Sequence, residues 1–168
     1  MPSALIAYVR FVDGLNARVG KVAMYLIYVI MGIMLFSSVT KFLHVPAMWT
    51  LEMAQFTLVA YYMLGAPWTL QGNANVRMDL FYARFSRRGQ AIWDVFTVFC
   101  LMFYLGFMLW GAFDSTAYSI AMNERNPSAW RPPLWPVKLI ITVSFALMLL
   151  QAISILIRDI ATVRGKEI

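Results

Sequence analysis

The chain has 168 residues, of which 61% are hydrophobic and only 13% are charged. Soluble domains carry about 25% charged residues, so this composition excludes an ordinary soluble protein and indicates an integral membrane protein. The net charge of +6 comes from basic residues beside apolar segments, which predicts orientation in a membrane and no nucleic-acid binding. One cysteine and one histidine cannot supply a disulfide framework, a cysteine-rich metal site or paired haem ligands, so we expect no cofactor.

The N-terminal segment, residues 3–21, is too interrupted by charge to cross a bilayer. At 100° per residue, Arg10, Asp13, Arg18 and Lys21 fall on one side of a helix and apolar residues fall on the other. This pattern predicts an amphipathic helix that lies in the membrane surface. No small-residue cleavage site precedes the next apolar run, so we do not expect a cleaved leader.

Four segments without charged residues follow, and each is long enough to cross a bilayer core as a helix. They are residues 22–40, 53–76, 95–113 and 139–157. The second contains Pro67, which predicts a kinked helix supported by neighbouring helices. The predicted fold class is therefore an all-α membrane protein with four transmembrane helices and an N-terminal amphipathic interfacial helix.

Basic residues give the orientation of these spans. If both termini are cytoplasmic, the inner side carries 10 lysines and arginines and the outer side carries 4. The positive-inside rule therefore predicts N-in, C-in. Residues 77–94 are then an inner connection, 114–138 an outer loop and 158–168 an inner tail.

Glu52 opens the second span and allows three interpretations. A carboxylate there can interact with the helix dipole near water, contact another subunit, or take part in ion coupling. No acidic or basic residue lies in the middle of any predicted span, which argues against a transport pathway within this chain.

Arg77 and Asp79 close the polar end of the same span. Two residues apart on a helix, they would point away from each other, so a loop or a second chain is needed to bring them together. A structural lock in the loop and a contact with another subunit both remain open.

The outer loop contains four prolines within ten residues, at positions 127, 132, 133 and 136, which predicts a stiff, extended segment. Trp130 and Trp135 are expected at the level of the lipid headgroups. The loop is either a rigid anchor for the fourth span or a docking surface for an outer protein through Trp130 and Arg131.

Three local features resemble one known family: Glu52 at the start of the second span, Gly65 within it, and the stretch NANVRMD that contains Arg77 and Asp79. Together with four spans and the orientation, they resemble the small membrane subunit of the tripartite ATP-independent periplasmic (TRAP) transporters, the DctQ-like family. The resemblance covers the chain from the first span through the fourth.

This resemblance implies a multi-pass protein of the bacterial inner membrane with both termini in the cytoplasm. Its implied partners are a large multi-span permease subunit (M-type), a periplasmic solute-binding protein (P-type) and membrane lipids. The implied function is that of a non-catalytic small permease subunit in a sodium-coupled importer of organic acids. In such systems the large subunit holds the sodium and substrate sites and moves, while the small subunit stays fixed as a scaffold.

No catalytic, substrate-binding or metal-binding residue is expected in this chain. Glu52, Arg77 and Asp79 are candidate residues of the subunit interface, and Trp130 and Arg131 are candidate docking residues on the periplasmic side.

Two other functions were weighed. A self-sufficient four-helix multidrug exporter typically needs a membrane-embedded glutamate in its first span, and residues 22–40 contain none. A dual-topology exporter would also lack the bias of 10 basic residues to 4. A membrane enzyme or electron carrier is disfavoured by the lone Cys100 and the lone His44.

Overall fold

The computed structural model describes residues 3–45, 47–72 and 87–163. These ranges form four helices, α1 (Ser3–Phe42), α2 (Trp49–Gln71), α3 (Arg87–Ala121) and α4 (Trp135–Val163). Outside the helices, the same ranges contain one isolated bridge, between Arg125 and Pro133. The prediction of an all-helical chain is confirmed.

α1 is one continuous helix of 40 residues, which joins the predicted interfacial helix (3–21) to the predicted first span (22–40). No proline separates the two segments, so helical hydrogen bonding continues where the sequence changes from charged to apolar. At 1.5 Å per residue the helix is about 60 Å long, roughly twice the thickness of a bilayer core. Only part of α1 can lie in that core, and the surface position of its N-terminal half stays a prediction.

α1 ends in a hydrogen-bonded cap built around His44. The Val45 N–H donates to the Thr40 carbonyl (3.0 Å) and the His44 N–H donates to the Lys41 carbonyl (3.1 Å). His44 has a φ of 57°, the left-handed conformation that glycine usually supplies in this Schellman motif. Asn123 (φ 47°) occupies the corresponding place after α3. The backbone at His44 therefore ends a helix.

α2 begins before the predicted span 53–76 and ends at Gln71, where the Gly72 N–H donates to the Trp68 carbonyl at 3.1 Å. Pro67 lies inside α2 and is fully buried, so the proline is surrounded by other parts of the chain. Neighbouring helices can then support the local loss of one backbone hydrogen bond. Residues 73–76 of the predicted span lie outside the described residues.

The loop between α3 and α4 is shorter than the predicted segment 114–138. α3 continues to Ala121 because residues 114–121 contain neither proline nor glycine. α4 begins at Trp135, with Pro136 in its first turn, where the missing N–H has no helical partner to lose. Residues 122–134 therefore connect the two helices, and the membrane boundaries along α3 and α4 stay predictions.

α2 packs against α1 and α4, α3 packs against α4, and α1 also contacts α4. Hydroxyl groups join two of these pairs: Thr50 donates to Ser37 (3.0 Å) between α2 and α1, and Thr116 and Thr142 lie 2.9 Å apart between α3 and α4. Hydrogen bonds of this type hold helices together in lipid, where water does not compete. The bundle is thus joined by polar contacts as well as by apolar packing.

α1 and α2 approach each other closely at Gly20. A Cβ added there would lie 2.6 Å from the Cβ of Trp68, closer than side chains tolerate. Gly14, on the same helix, has no atom within 4 Å of the corresponding position. Gly20 therefore makes room for the Trp68 ring, whereas Gly14 has no such role.

Three helices are long and apolar enough to cross a membrane among the described residues: Leu5–Phe42, Val95–Ala121 and Trp135–Ala161. α2 is not among them, because Glu52, two glutamines and a proline lower its hydropathy. Many large apolar side chains on α1 and α3 are exposed, including Tyr28 (67%) and Trp110 (77%). These features describe a multi-pass membrane protein, in which the crossing of the bilayer by α2 is still a proposal.

Candidate functional site

Glu52, the candidate interface residue, lies in the first turn of α2. The residue is only 9% exposed, although the sequence suggested a position near water. Its Oε2 atom has no hydrogen-bond partner in the part of the chain that the structure describes. Met48, the residue that precedes the helix, makes no capping hydrogen bond through its side chain. Glu52 is thus a buried residue with an unsatisfied carboxylate oxygen, a state that costs free energy unless a partner is supplied.

Arg77 and Asp79, the other two candidate interface residues, lie outside the described residues. The predicted inner connection, 77–94, is described only from Arg87 onward, where α3 begins. The roles of Arg77 and Asp79 stay predictions.

A cluster of polar side chains joins the N-terminal half of α1 to α4. Arg158 forms an ion pair with Oδ2 of Asp13, and Gln151 donates from Nε2 to Oδ1 of the same carboxylate at 3.0 Å. Asn16 donates from Nδ2 to Oε1 of Gln151 at 2.6 Å, and Ser154 Oγ lies 3.4 Å from Oδ1 of Asp13. We call these five residues the polar clamp.

The clamp is largely buried. Asn16, Gln151 and Ser154 are inaccessible to solvent, the side chain of Asp13 is 14% exposed and that of Arg158 is 39% exposed. Ion pairs and amide hydrogen bonds in such surroundings fix one arrangement of the helices, because removal of a partner leaves a buried group unsatisfied. The charges of Asp13 and Arg158 neutralise each other, so the clamp suits a structural joint better than an ion-binding site.

The clamp also shows how α1 and α4 meet. Tyr8 donates to the carbonyl of Leu150 at 3.3 Å, while Asn16, eight residues later on α1, reaches Gln151. Tyr8 and Asn16 are about 12 Å apart along α1, yet their partners, Leu150 and Gln151, are neighbours on α4. The N-terminal half of α1 therefore crosses α4 rather than running alongside it.

The loop between α3 and α4, residues 122–134, which the sequence predicts on the outer side, is held together by its own hydrogen bonds. The Asn126 N–H donates to the Pro132 carbonyl, and the Leu134 N–H donates to the Glu124 carbonyl, each at 3.0 Å. Lys138 Nζ lies 2.5 Å from Oε2 of Glu124, which ties the start of α4 to the end of α3. The hydrogen bond from Lys138 lowers the pKa of Glu124, because it stabilises the charged carboxylate.

Trp130 and Arg131, the candidate docking residues, lie in this loop and both are exposed. Arg131 has a φ of 49°, and its N–H donates to Oγ of Ser128 at 3.2 Å. The loop thus presents the two side chains on a defined backbone, while their contact with another protein stays a prediction. In the described ranges, no three His, Cys, Asp or Glu side chains come together in a way that could hold a metal ion.

Comparison with known proteins identifies the family of the chain. A family model described as "Tripartite ATP-independent periplasmic transporters, DctQ component" matches residues 6–162. The chain belongs to the DctQ family. The resemblance found in the sequence is thereby confirmed, and the chain is the small permease component of a TRAP transporter.

This DctQ-family chain is similar to the isethionate TRAP transporter permease protein DctMQ of Oleidesulfovibrio alaskensis, with 27% identity over 115 residues. The match covers 68% of this chain but only 17% of the relative. The chain therefore spans less than a fifth of the length of that protein. No solved structure matches the chain significantly.

The polar clamp was missed by sequence reasoning in this DctQ-family chain. The helical wheel grouped Asp13 with the basic residues of a water-facing surface, but the structure turns it toward α4. The available signal was Gln151, an amide in the middle of the otherwise apolar segment 139–157. A polar side chain at such a position usually faces the interior of a helix bundle, so it could have indicated a partner on another helix.

Proposed function

We propose that this chain is the fixed scaffold subunit of a sodium-coupled, binding-protein-dependent importer of organic acids in the bacterial inner membrane, with both termini in the cytoplasm. The observation that carries the proposal is the family match over residues 6–162. The large transport subunit would hold the sodium and substrate sites and move relative to this chain. The periplasmic binding protein would deliver the solute.

The curated relative supports a close association with a larger permease. In that protein, named as an isethionate permease DctMQ, the segment similar to this chain makes up a small part of one long polypeptide. Isethionate is a small organic acid, which agrees with the proposed class of solute. The same comparison does not favour the self-sufficient exporter.

The internal contacts of the chain suit a part that stays fixed. The polar clamp joins α1 to α4, and hydroxyl contacts join α1 to α2 and α3 to α4. A moving transport domain alternates between two arrangements of its helices. The hydrogen bonds between the helices of this chain favour a single arrangement. No catalytic role is proposed for any residue.

Glu52 is the residue we propose for the contact with the large subunit. Its carboxylate is nine-tenths buried, and Oε2 has no donor among the described residues. If the Glu52 side chain turns outward when the subunits assemble, a hydrogen-bond donor or cation on the second chain would satisfy that oxygen and remove the cost of its burial. Arg77 and Asp79 are proposed as further contacts with that subunit.

The first test is affinity purification of the tagged chain from its native membranes in mild detergent, followed by mass spectrometry. We expect a much larger multi-span protein in equal amount. Recovery of the chain alone, together with solute transport by the chain in liposomes, would contradict the proposal and support an exporter.

The second test is Glu52→Gln, which keeps the shape of the side chain and removes its charge. We expect less of the large subunit to copurify and uptake to fall, with the order of preferred solutes unchanged. Glu124→Gln is the matched control, because that glutamate already has Lys138 as a partner within the chain. A change in solute preference in the Glu52 variant would count against a scaffold role.

A further inference from the structure

A groove of about 440 Å³ lies between the loop that joins α3 to α4 and three of the helices. α1, α2 and α4 form its walls, and loop residues 130, 132 and 133 close one end. We call it the loop groove. Representative wall residues are Val29 on α1, Ala60 on α2 and Ile140 on α4.

The loop groove runs deep between the helices. On α2 its lining begins at Met53 and reaches Ala60, eleven residues after the helix starts. That distance is about 16 Å along the helix axis, comparable with half the thickness of a bilayer core. The groove therefore extends from the loop into the part of the bundle that lies among lipid tails.

The lining selects an apolar ligand. None of its side chains is ionisable, and its two polar ones are those of Thr57 and Trp130. Thr57 already donates its hydroxyl hydrogen to the carbonyl of Met53 at 2.7 Å, so it has no hydrogen to offer a ligand. A hydrocarbon chain fits such walls, whereas a charged or strongly polar solute would lose its hydration without compensation.

A basic residue, Arg131, is a chain neighbour of the residues that close the groove. Arg131 lies in the chain between Trp130 and Pro132, both of which line the groove. Its side chain is exposed, and no carboxylate of the described residues pairs with it. The nearby basic residue Lys138 is instead paired with Glu124. Arg131 is thus available for an anionic group next to an apolar slot.

We propose that the loop groove binds one phospholipid, with an acyl chain along α2 and the phosphate at Arg131. The tryptophan beside this arginine suits the same level of the membrane, where indole rings meet headgroups. A polypeptide segment is the alternative occupant, which the crosslinking experiment below distinguishes from lipid. A soluble binding protein could cover the loop but could not fill the deep part between the helices.

This assignment does not depend on the proposed transport function, because it rests on the groove and the arginine of this chain alone. The experiment uses the tagged full chain, purified from its native membranes with any bound subunit. The protein is stripped of loosely held lipid, incubated with phosphatidylglycerol, and analysed by native mass spectrometry at collision energies that remove annular lipid.

We expect one phosphatidylglycerol to stay on each wild-type chain. Val29→Trp fills the groove and should abolish this retention. Val39→Trp, the control, changes another half-exposed valine of α1 that does not line the groove, and should leave retention unchanged. Arg131→Gln should weaken binding about fivefold, the effect expected for one arginine near an anionic group, while the exposed loop residue Arg125→Gln should have no effect.

Two outcomes would overturn the proposal. The first is equal lipid retention by both variants and their controls. The second comes from a photoreactive benzoylphenylalanine at position 29, irradiated in native membranes: adducts with a polypeptide in place of phospholipid would show that a protein occupies the groove. Because Arg131 is an exposed loop residue, its variant tests the proposal even where a tryptophan at position 29 disturbs folding.

Discussion

Replacement of Arg158 by methionine should weaken the joint between α1 and α4. Methionine keeps much of the side-chain length but leaves the Asp13 carboxylate without its cation, with hydrogen bonds from Gln151 and Ser154 remaining. Breaking a fully buried ion pair costs about 3–5 kcal/mol. The side chain of Arg158 is 39% exposed, so water screens part of the interaction and we expect a loss of about 2 kcal/mol.

A double-mutant cycle separates this ion pair from the other effects of each substitution. Asp13→Asn alone should cost about 1–2 kcal/mol, because it removes the charged partner that Arg158 has on α1. The double variant should cost about 1 kcal/mol less than the sum of the two, since both substitutions remove the same ion pair. The free energies of unfolding can be measured by reversible titration with a denaturing detergent. In thermal unfolding, 2 kcal/mol corresponds to roughly 4–8 °C in a chain of this size.

Arg10→Met is the matched control, because Arg10 is an exposed arginine on α1 and no ion pair involving it is found in the described ranges. It should change stability by less than about 0.5 kcal/mol. If the two clamp substitutions were additive, or if Arg10→Met were as harmful as Arg158→Met, the clamp would not be the joint described above.

Three further predictions concern the helix contact at Gly20 and the caps and ties at the helix ends. Gly20→Ala should lower stability by at least about 1 kcal/mol, because the added Cβ would overlap the Trp68 side chain. Gly14→Ala should instead raise stability by up to about 1 kcal/mol, because alanine has the better helix propensity and meets no atom there. Equal effects of the two substitutions would contradict the close approach at Gly20. The thermal stability of the wild type should exceed that of Glu124→Gln at neutral pH. The pKa of Glu124 is lowered in the folded chain, so the difference in thermal stability should disappear as the pH falls through that pKa. A difference that persists in acid would show that the Lys138–Glu124 ion pair is not its cause. His44→Val should destabilise the chain by at least about 1 kcal/mol and His44→Gly should not, because only glycine adopts a φ of 57° without strain; similar melting temperatures for the two would argue against the cap.

The sequence predicted the helices well because each is a long apolar segment, and in lipid a helix is the way for such a segment to satisfy its backbone. Helix ends were less predictable. α1 and α3 are followed, two residues after their last helical residue, by His44 and Asn123. Both adopt the left-handed backbone conformation that is usually marked in a sequence by glycine. Pro136 suggested a loop, but a proline is tolerated in the first turn of a helix, where it stands in α4.

Contacts between distant residues could not be predicted from periodicity. A helical wheel separates the charged side of a helix from its apolar side, and it placed Asp13 on the charged side. Which neighbour meets that side depends on how α1 crosses α4, and this crossing is a property of the whole bundle. The buried state of Glu52 has the same origin, since its position in the first turn of α2 was visible in the sequence but its surroundings were not.

The separation of Asp13 and Arg158 along the chain, 145 residues, has a consequence for biosynthesis. The ribosome makes the carboxylate 145 residues before it makes the cation. Until α4 is in place, the Asp13 carboxylate lacks its contacts with Arg158, Gln151 and Ser154. Closure of the polar clamp is then a late step in the assembly of the bundle, and a product truncated before α4 would expose a carboxylate that the folded chain largely buries.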